Sequence, residues 1–288
     1  MADPLDLPEQ SPLFHAQHAA RYDRQQLIGA YEERYDCRLA VMLDAIFPAS
    51  VAPFEELIYN ADPDQDLHLV LFSPGGDGET AVRLVRSAQA RCRELTVIVP
   101  DQAKSAGTVL AMGAHHILMG PTSDLGPVDP QFQLPGGLSS AKDIIAAVEN
   151  AEERIQAAPE TYPLYVALLS DVSGLMVQQA RSALERSSDL VEEALASNPD
   201  RAGDETDEIK SRVREKLIDL PVSHAAIFGA AAAKEAGLPV EVVDPRGEQW
   251  QIIWRLWNKY IALGAWPVYE GVKASQIGTA FTPTTTNA

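Results

Sequence analysis

Apolar residues along this chain fall into short, nearly unbroken runs separated by segments with a helical repeat. Leu67-His68-Leu69-Val70-Leu71-Phe72 and Leu95-Thr96-Val97-Ile98-Val99 are such runs. Arg38 to Leu43, His115 to Met119 and Val240 to Val243 are of the same kind. Runs of this length predict strands buried on both faces. Between them, helical spacing predicts helices over 22–36 (Tyr22, Leu27, Ile28, Tyr31), 54–59, 79–92 (Val82, Leu84, Val85, Ala88) and from Ser105 to Ala114. Strands alternating with helices imply right-handed βαβ units and a mainly parallel sheet.

The pattern changes after Gly136-Gly137. Residues 140–158 and 163–195 are helix-like, and 203–218 reads as a charged helix with a solvated acidic face. A helix over 225–236 ends at Gly237, a C-terminal cap, and leads to the strand from Val240. That αβ unit should rejoin the core. The expected organisation is a flexible N-terminal arm over 1–20, a core from 21–137 and 219–247, and an inserted helical arm over 138–218. A helix and polar tail over 248–288 complete it. Residues 249–264 carry Trp250, Ile253, Trp254, Trp257 and Ile261 on one helix face. This stripe is expected to serve packing or subunit contact. Little basic charge lies opposite it, which disfavours a membrane-surface helix.

Composition narrows the function classes. The 288 residues, 46% of them hydrophobic, can bury a substantial core. A net charge of −18 argues against a nucleic-acid partner, since phosphate binding needs clustered Lys and Arg. Cys37 and Cys92 are far apart in apolar contexts, so buried free thiols in a reducing compartment are expected. Met1 to Gln10 has no basic or apolar leader character, and no run is long enough to span a bilayer. A cytoplasmic protein is expected, with membrane association not predicted. No phosphate-binding loop of the Gly-x-x-x-x-Gly-Lys-[Ser/Thr] type is present. No metal and no cofactor is expected.

Two stretches carry candidate chemistry. Ser73-Pro74-Gly75-Gly76-Asp77-Gly78 follows one strand, and Ala103-Lys104-Ser105-Ala106-Gly107-Thr108 follows the next. The first places glycine amides at a strand end, where they can face a developing oxyanion. The second places a hydroxyl at a helix N-terminus. Together they are the minimum equipment for acyl transfer. Duller roles compete: Ser105 as a helix cap, Gly75 and Gly76 as a tight turn. Lys104, beside Ser105, is expected to meet substrate, a partner subunit or solvent.

These motifs, followed by Gly120-Pro121-Thr122-Ser123-Asp124-Leu125-Gly126-Pro127-Val128-Asp129-Pro130-Gln131, resemble the serine dehydrogenase proteinase family. That family belongs to the Clp-fold serine peptidases, with signal peptide peptidase A and ClpP. The resemblance covers roughly residues 20–135, with an echo near 220–244. It implies an α/β fold of Clp/crotonase type: a core of stacked βαβ units with a mainly parallel sheet, plus a helical arm. It implies a serine endopeptidase with Ser105 as nucleophile and an oxyanion hole from Gly75, Gly76 and the Ala106 amide. A peptide or protein substrate and a homo-oligomer follow from it too.

The base is less direct. The family pattern has a histidine in the stretch that here reads Pro127 to Gln131, where this chain offers Asp129. It has an aspartate later, where this chain offers His224 in Leu220-Pro221-Val222-Ser223-His224. A set of Ser105, His224 and Asp129 is chemically acceptable, because triads are defined by geometry and not by order. Lys142, at a helix start, is the alternative base of the signal peptide peptidase A kind. It would need a depressed pKa. Simpler roles exist for each: a turn residue for Asp129, a cap for His224, a solvated lysine for Lys142. A crotonase-like acyl-CoA enzyme and a non-catalytic Clp-fold scaffold are the alternative functions.

Overall fold

The computed structural model of the chain describes residues 11–135, 137–201, 203–219 and 226–278. Helix α1 (Pro12–Tyr35) leads into β1 (Cys37–Leu43), α2 (Val51–Ile58), β2 (Asp66–Phe72), α3 (Gly78–Gln89) and β3 (Leu95–Val99). A short β4 (Gln102–Ala103) precedes α4 (Ala106–Met112), β5 (His116–Met119) and a short β6 (Asp124–Leu125). The hairpin of β7 (Gln131–Leu134) and β8 (Gly137–Ser140) opens onto α5 (Ala141–Ala157), α6 (Tyr162–Leu168), α7 (Gly174–Leu195) and α8 (Gly203–Val213). Helix α8 widens into a π-helix over Arg214–Asp219. Then come β9 (Phe228–Gly229), α9 (Ala230–Glu235), β10 (Val240–Val242), α10 (Glu248–Leu263), β11 (Val268–Glu270) and β12 (Ser275–Ile277).

Among the described residues, the main sheet has seven strands in the order β10-β5-β3-β2-β1-β11-β12. The five strands from β10 to β1 run parallel; β11 and β12 add antiparallel beyond β1. This is a mixed α/β architecture with a mostly parallel sheet, as expected. Register explains the apolar runs. Val41, Val70, Ile98 and Leu118 stand opposite one another and form one row across the sheet. Ala40, Leu69, Val97, Ile117 and Val240 form the adjacent row. Side chains alternate across a strand, so the two rows face opposite ways. The first packs under Ile28 and Tyr31 of α1 and Ile253, Leu256 and Trp257 of α10. The second packs under α2, α3, α4 and the C-terminal half of α7. Burial on both faces is what a strand of unbroken apolar residues requires.

Several elements differ from expectation. Helix α1 starts at Pro12, so residues 12–20 are helical and not a loose arm. Ser11 caps it, its hydroxyl accepting from the Phe14 amide at 3.2 Å, with Pro12 in the first turn. The single helix expected over 163–195 is two, α6 and α7. Ser173 caps the second, accepting from the Met176 amide at 3.1 Å. The stretch after α10 is not merely polar tail, because β11 and β12 extend the sheet. The stripe on α10 is mostly inward: Trp250, Ile253 and Trp257 are buried, while Trp254 (43% exposed) and Ile261 (57% exposed) face outward. The residues of this helix that motivated a subunit contact are therefore largely covered by the chain itself. Cys37 and Cys92 are buried free thiols, each pushed up to about 12 by burial.

A buried ion pair fixes α1 to the far end of the chain. Arg24 meets Glu270 of β11 in two hydrogen bonds of 2.6 and 3.1 Å. Glu270 also accepts from the Tyr260 hydroxyl at 2.6 Å and the Ser275 hydroxyl at 2.9 Å. The fully buried carboxylate is thus satisfied from four directions, which is the condition for burying it at all.

Candidate active site

The two motifs meet where β2 and β3 end. Beyond β2, Ser73 donates its amide to Gln102 (3.1 Å) and accepts from the Lys104 amide (2.9 Å). On the other side, Ile46 donates to the Gly75 carbonyl (2.9 Å) and accepts from the Asp77 amide (2.7 Å). The glycine loop is therefore stitched between 46 and 102–104. Both glycines have a positive φ, +118° at Gly75 and +137° at Gly76. A Cβ on Gly75 would stand 3.0 Å from Ser105 Cβ, and one on Gly76 would stand 2.1 Å from the Ile46 carbonyl oxygen. Glycine is required at both by conformation and by space. Asp77 then caps α3, accepting from the Thr80 amide at 2.7 Å.

Ser105 is half-buried and directly precedes α4. Its backbone lies at φ 47°, ψ −111°. This is one of two positive-φ residues other than glycine among the described residues, the other being Asp36. Such a conformation costs about 1–3 kcal/mol and persists only where the surroundings impose it. The imposing contacts are identifiable. Thr108, one turn on, donates its hydroxyl to the carbonyls of Ala103 (2.7 Å) and Gly126 (2.9 Å) and accepts from the Gly126 amide (3.1 Å). Gly107 lets α4 close on the sheet, since a Cβ there would be 3.0 Å from Ser73 Cβ. The Ser105 side chain does not cap α4 and its hydroxyl has no hydrogen-bond partner among the described residues. The simple capping role is thereby excluded.

The amides separate into two kinds. That of Gly75 turns inward, to the Ser73 hydroxyl at 3.1 Å. Those of Gly76 and Ala106 donate to no acceptor among the described residues. Unpaired backbone donors of this kind are what stabilises negative charge on an oxygen during acyl transfer.

The remaining candidates are distributed as follows. Lys104 does not face solvent: it is ion-paired with Asp124, and its ammonium reaches the Ala226 carbonyl at 3.4 Å. Asp124 also accepts from the Phe228 amide at 2.6 Å. Asp129 is buried and accepts from the Gln131 side chain at 3.1 Å. Lys142, near the start of α5, donates to the Asp219 carbonyl at 3.3 Å. His224 lies outside the described residues. Sequence reasoning missed Ser73, Thr108 and Asp124 as supporting groups. All three stood inside the motifs, but nothing in their spacing distinguishes a hydroxyl that braces a turn from one that does not.

A family profile described as ClpP-like SDH-type serine proteinase matches residues 55–253. Two proteins of Methanocaldococcus jannaschii, both described as uncharacterized, are similar in sequence. One is 38% identical over 89 residues, 31% of this chain and 30% of the relative. The other is 26% identical over 183 residues, 64% of this chain and 54% of the relative. The chain thus spans under a third of one relative and about half of the other. Among solved structures, a mutant of a membrane-bound stomatin-specific protease in complex with a substrate peptide covers 85% of this chain and 87% of that chain. Its identity is 16% and its TM-score 0.43. ClpP1 from Listeria monocytogenes covers 77% and 96%, at 13% identity and a TM-score of 0.41.

Proposed function

Since the chain belongs to the ClpP-like SDH-type serine proteinases, we propose that it is an endopeptidase that cleaves peptide bonds through an acyl-enzyme on Ser105. The observation that carries this is the backbone of Ser105, held at positive φ against Gly75 of the glycine loop and followed by the unpaired Ala106 amide. In the proposed reaction the Ser105 hydroxyl attacks the scissile carbonyl carbon and loses its proton to a base. The carbonyl oxygen becomes an oxyanion between the Gly76 and Ala106 amides. Collapse expels the amine, which takes up the proton, and water then releases the acyl group by the same path. Gly75 contributes by its shape and its carbonyl bond to Ile46, and Gly76 is the donor.

His224, oriented by Asp129, is the proposed base. Its support is the placement of the chain on either side of it. Leu217 accepts from the Val128 amide at 3.0 Å, next to Asp129, and Ala226 lies on Lys104, next to Ser105. A histidine also acts as a base near neutrality without special surroundings, whereas a lysine must first be desolvated or set beside another cation. Labelling with a fluorophosphonate tests all of this. Ser105→Ala should abolish it and His224→Ala should slow it strongly, while Lys142→Ala labels normally. A dead Lys142→Ala with a normal His224→Ala would make the pair Ser105–Lys142. No labelling of the unsubstituted chain would favour a scaffold.

Self-association is proposed through α6. Leu164 and Leu168, four residues apart and so on one helix face, are each more than half exposed there, an apolar surface that folded chains seldom leave bare. Light scattering should show an oligomer that Leu164→Glu with Leu168→Glu dissociates.

A further inference from the structure

Where β1, β2 and β3 end, a cavity of about 140 Å³ lies on the α10 side of the sheet. Its lining includes Leu43, Phe72, Trp257, Ile261, Trp266 and Asp101. Phe72 stands 5.2 Å from the Trp257 ring and meets the Trp266 ring edge-on at 5.7 Å. With Tyr260, four aromatic rings therefore wall a space of the size that holds a single benzene ring elsewhere, roughly 150 Å³. One charged group lines it, Asp101. Among the described residues its carboxylate has no hydrogen bond and no ion pair. The cation that acts on it, Lys104, is paired with Asp124 instead. Asp101 and Asp124 together outnumber Lys104, so this corner carries uncompensated negative charge. Aromatic faces with a carboxylate at their rim attract a cation on an apolar stem, by the ring quadrupole and by charge together.

The cavity opens at the same strand ends as the candidate site, on the α10 face of the sheet. Phe72 immediately precedes Ser73, and Asp101 immediately precedes β4, which runs into Ser105. In parallel sheets ligands collect at this strand edge.

We propose that this cavity is a substrate subsite that receives a lysine or arginine side chain of the peptide to be cleaved. The stem lies against Leu43, Ile261 and the rings, and the cationic head meets Asp101. This assignment rests on the peptidase reading for the identity of the occupant, and its test does not require turnover.

Full-length Ser105→Ala is titrated with two blocked hexapeptides identical except for a central lysine or norleucine, followed by tryptophan fluorescence. Trp257 and Trp266 line the cavity and report on its filling. The lysine peptide should bind about tenfold more tightly than the norleucine peptide, the effect of one charge-assisted contact. Adding Asp101→Asn should erase that difference and leave norleucine binding unchanged. Equal binding of both peptides, or a lysine preference that survives Asp101→Asn, overturns the proposal. If Ser105 fails to label while the Asp101-dependent preference is intact, the peptidase reading fails and the cation pocket stands.

Discussion

Replacing Ser105 by glycine should make the protein more stable while destroying its chemistry. The conformation at Ser105, φ 47° and ψ −111°, is the mirror image of an ordinary extended residue. Glycine adopts it freely, and any residue with a Cβ is strained there. The strain is about 1–3 kcal/mol, and glycine's extra freedom in the unfolded chain takes back about 0.4–1 kcal/mol. The hydroxyl itself makes no hydrogen bond among the described residues, so its removal costs nothing further. Ser105→Ala keeps the strain and should unfold like the parent. Ser105→Gly should then gain about 0.5–2 kcal/mol over Ser105→Ala. A chain of this size has an unfolding entropy that converts 1 kcal/mol into about 1.5–2 °C, so the expected rise is about 1–4 °C. Calorimetry of the three proteins measures it, and fluorophosphonate labelling of the same samples shows both variants dead. A Ser105→Gly protein less stable than Ser105→Ala would mean that the turn is relaxed, and would remove the main support for a nucleophile held ready at that position.

The glycine loop should be equally unforgiving. Gly75→Ala should abolish labelling and lose about 1–3 kcal/mol in chemical denaturation, and Gly76→Ala, whose Cβ would strike the Ile46 carbonyl, should lose more. Stability should also fall in mild acid through His68. Its ring is hydrogen-bonded to the Tyr31 hydroxyl, which accepts from Gln249, and burial lowers its pKa to about 4. The unfolded chain binds this proton from about pH 6.5 down and the folded chain only near 4. Stability should therefore drop by about 3 kcal/mol across that window, a loss that urea denaturation of His68→Gln should show flattened. Arg24→Met should cost about 3–5 kcal/mol because it strands a buried carboxylate, and adding Glu270→Gln should restore most of it.

What could be read from the sequence was decided by the length and burial of each segment. Strands β1, β2, β3 and β5 were legible because both faces of the sheet are covered, which leaves them few polar positions. The motif serine and glycines were legible because conformation restricts those sites to few residue types. Strands β4, β6 and β9 have two residues each, too few for any period to show. Strand β11 is three residues whose last, Glu270, is charged and buried. Only its partner 246 positions away explains it, and no local pattern could. The break between α6 and α7 was missed although Ser173 followed by Gly174 stood in plain view, because the apolar spacing continues across it. Lys104 read as exposed because a charged residue at a turn usually is. The carboxylate that draws it inward, Asp124, lies on a different strand.

The pairing of β1 with β11 sets an order of events for a chain leaving the ribosome. Strand β1 is made well before β11, and it can pair at once with β2 as that emerges. Its other edge stays bare until Val268–Glu270 appear, and Arg24 has no counter-ion until then. Between the emergence of β1 and that of β11 the nascent protein therefore carries an open apolar strand edge and a cation bound for the interior. Open edges of this kind invite pairing with a neighbouring nascent chain. Chains stalled between α10 and β11 should accordingly be the ones that holdase chaperones protect, and emergence of β11 should end that dependence.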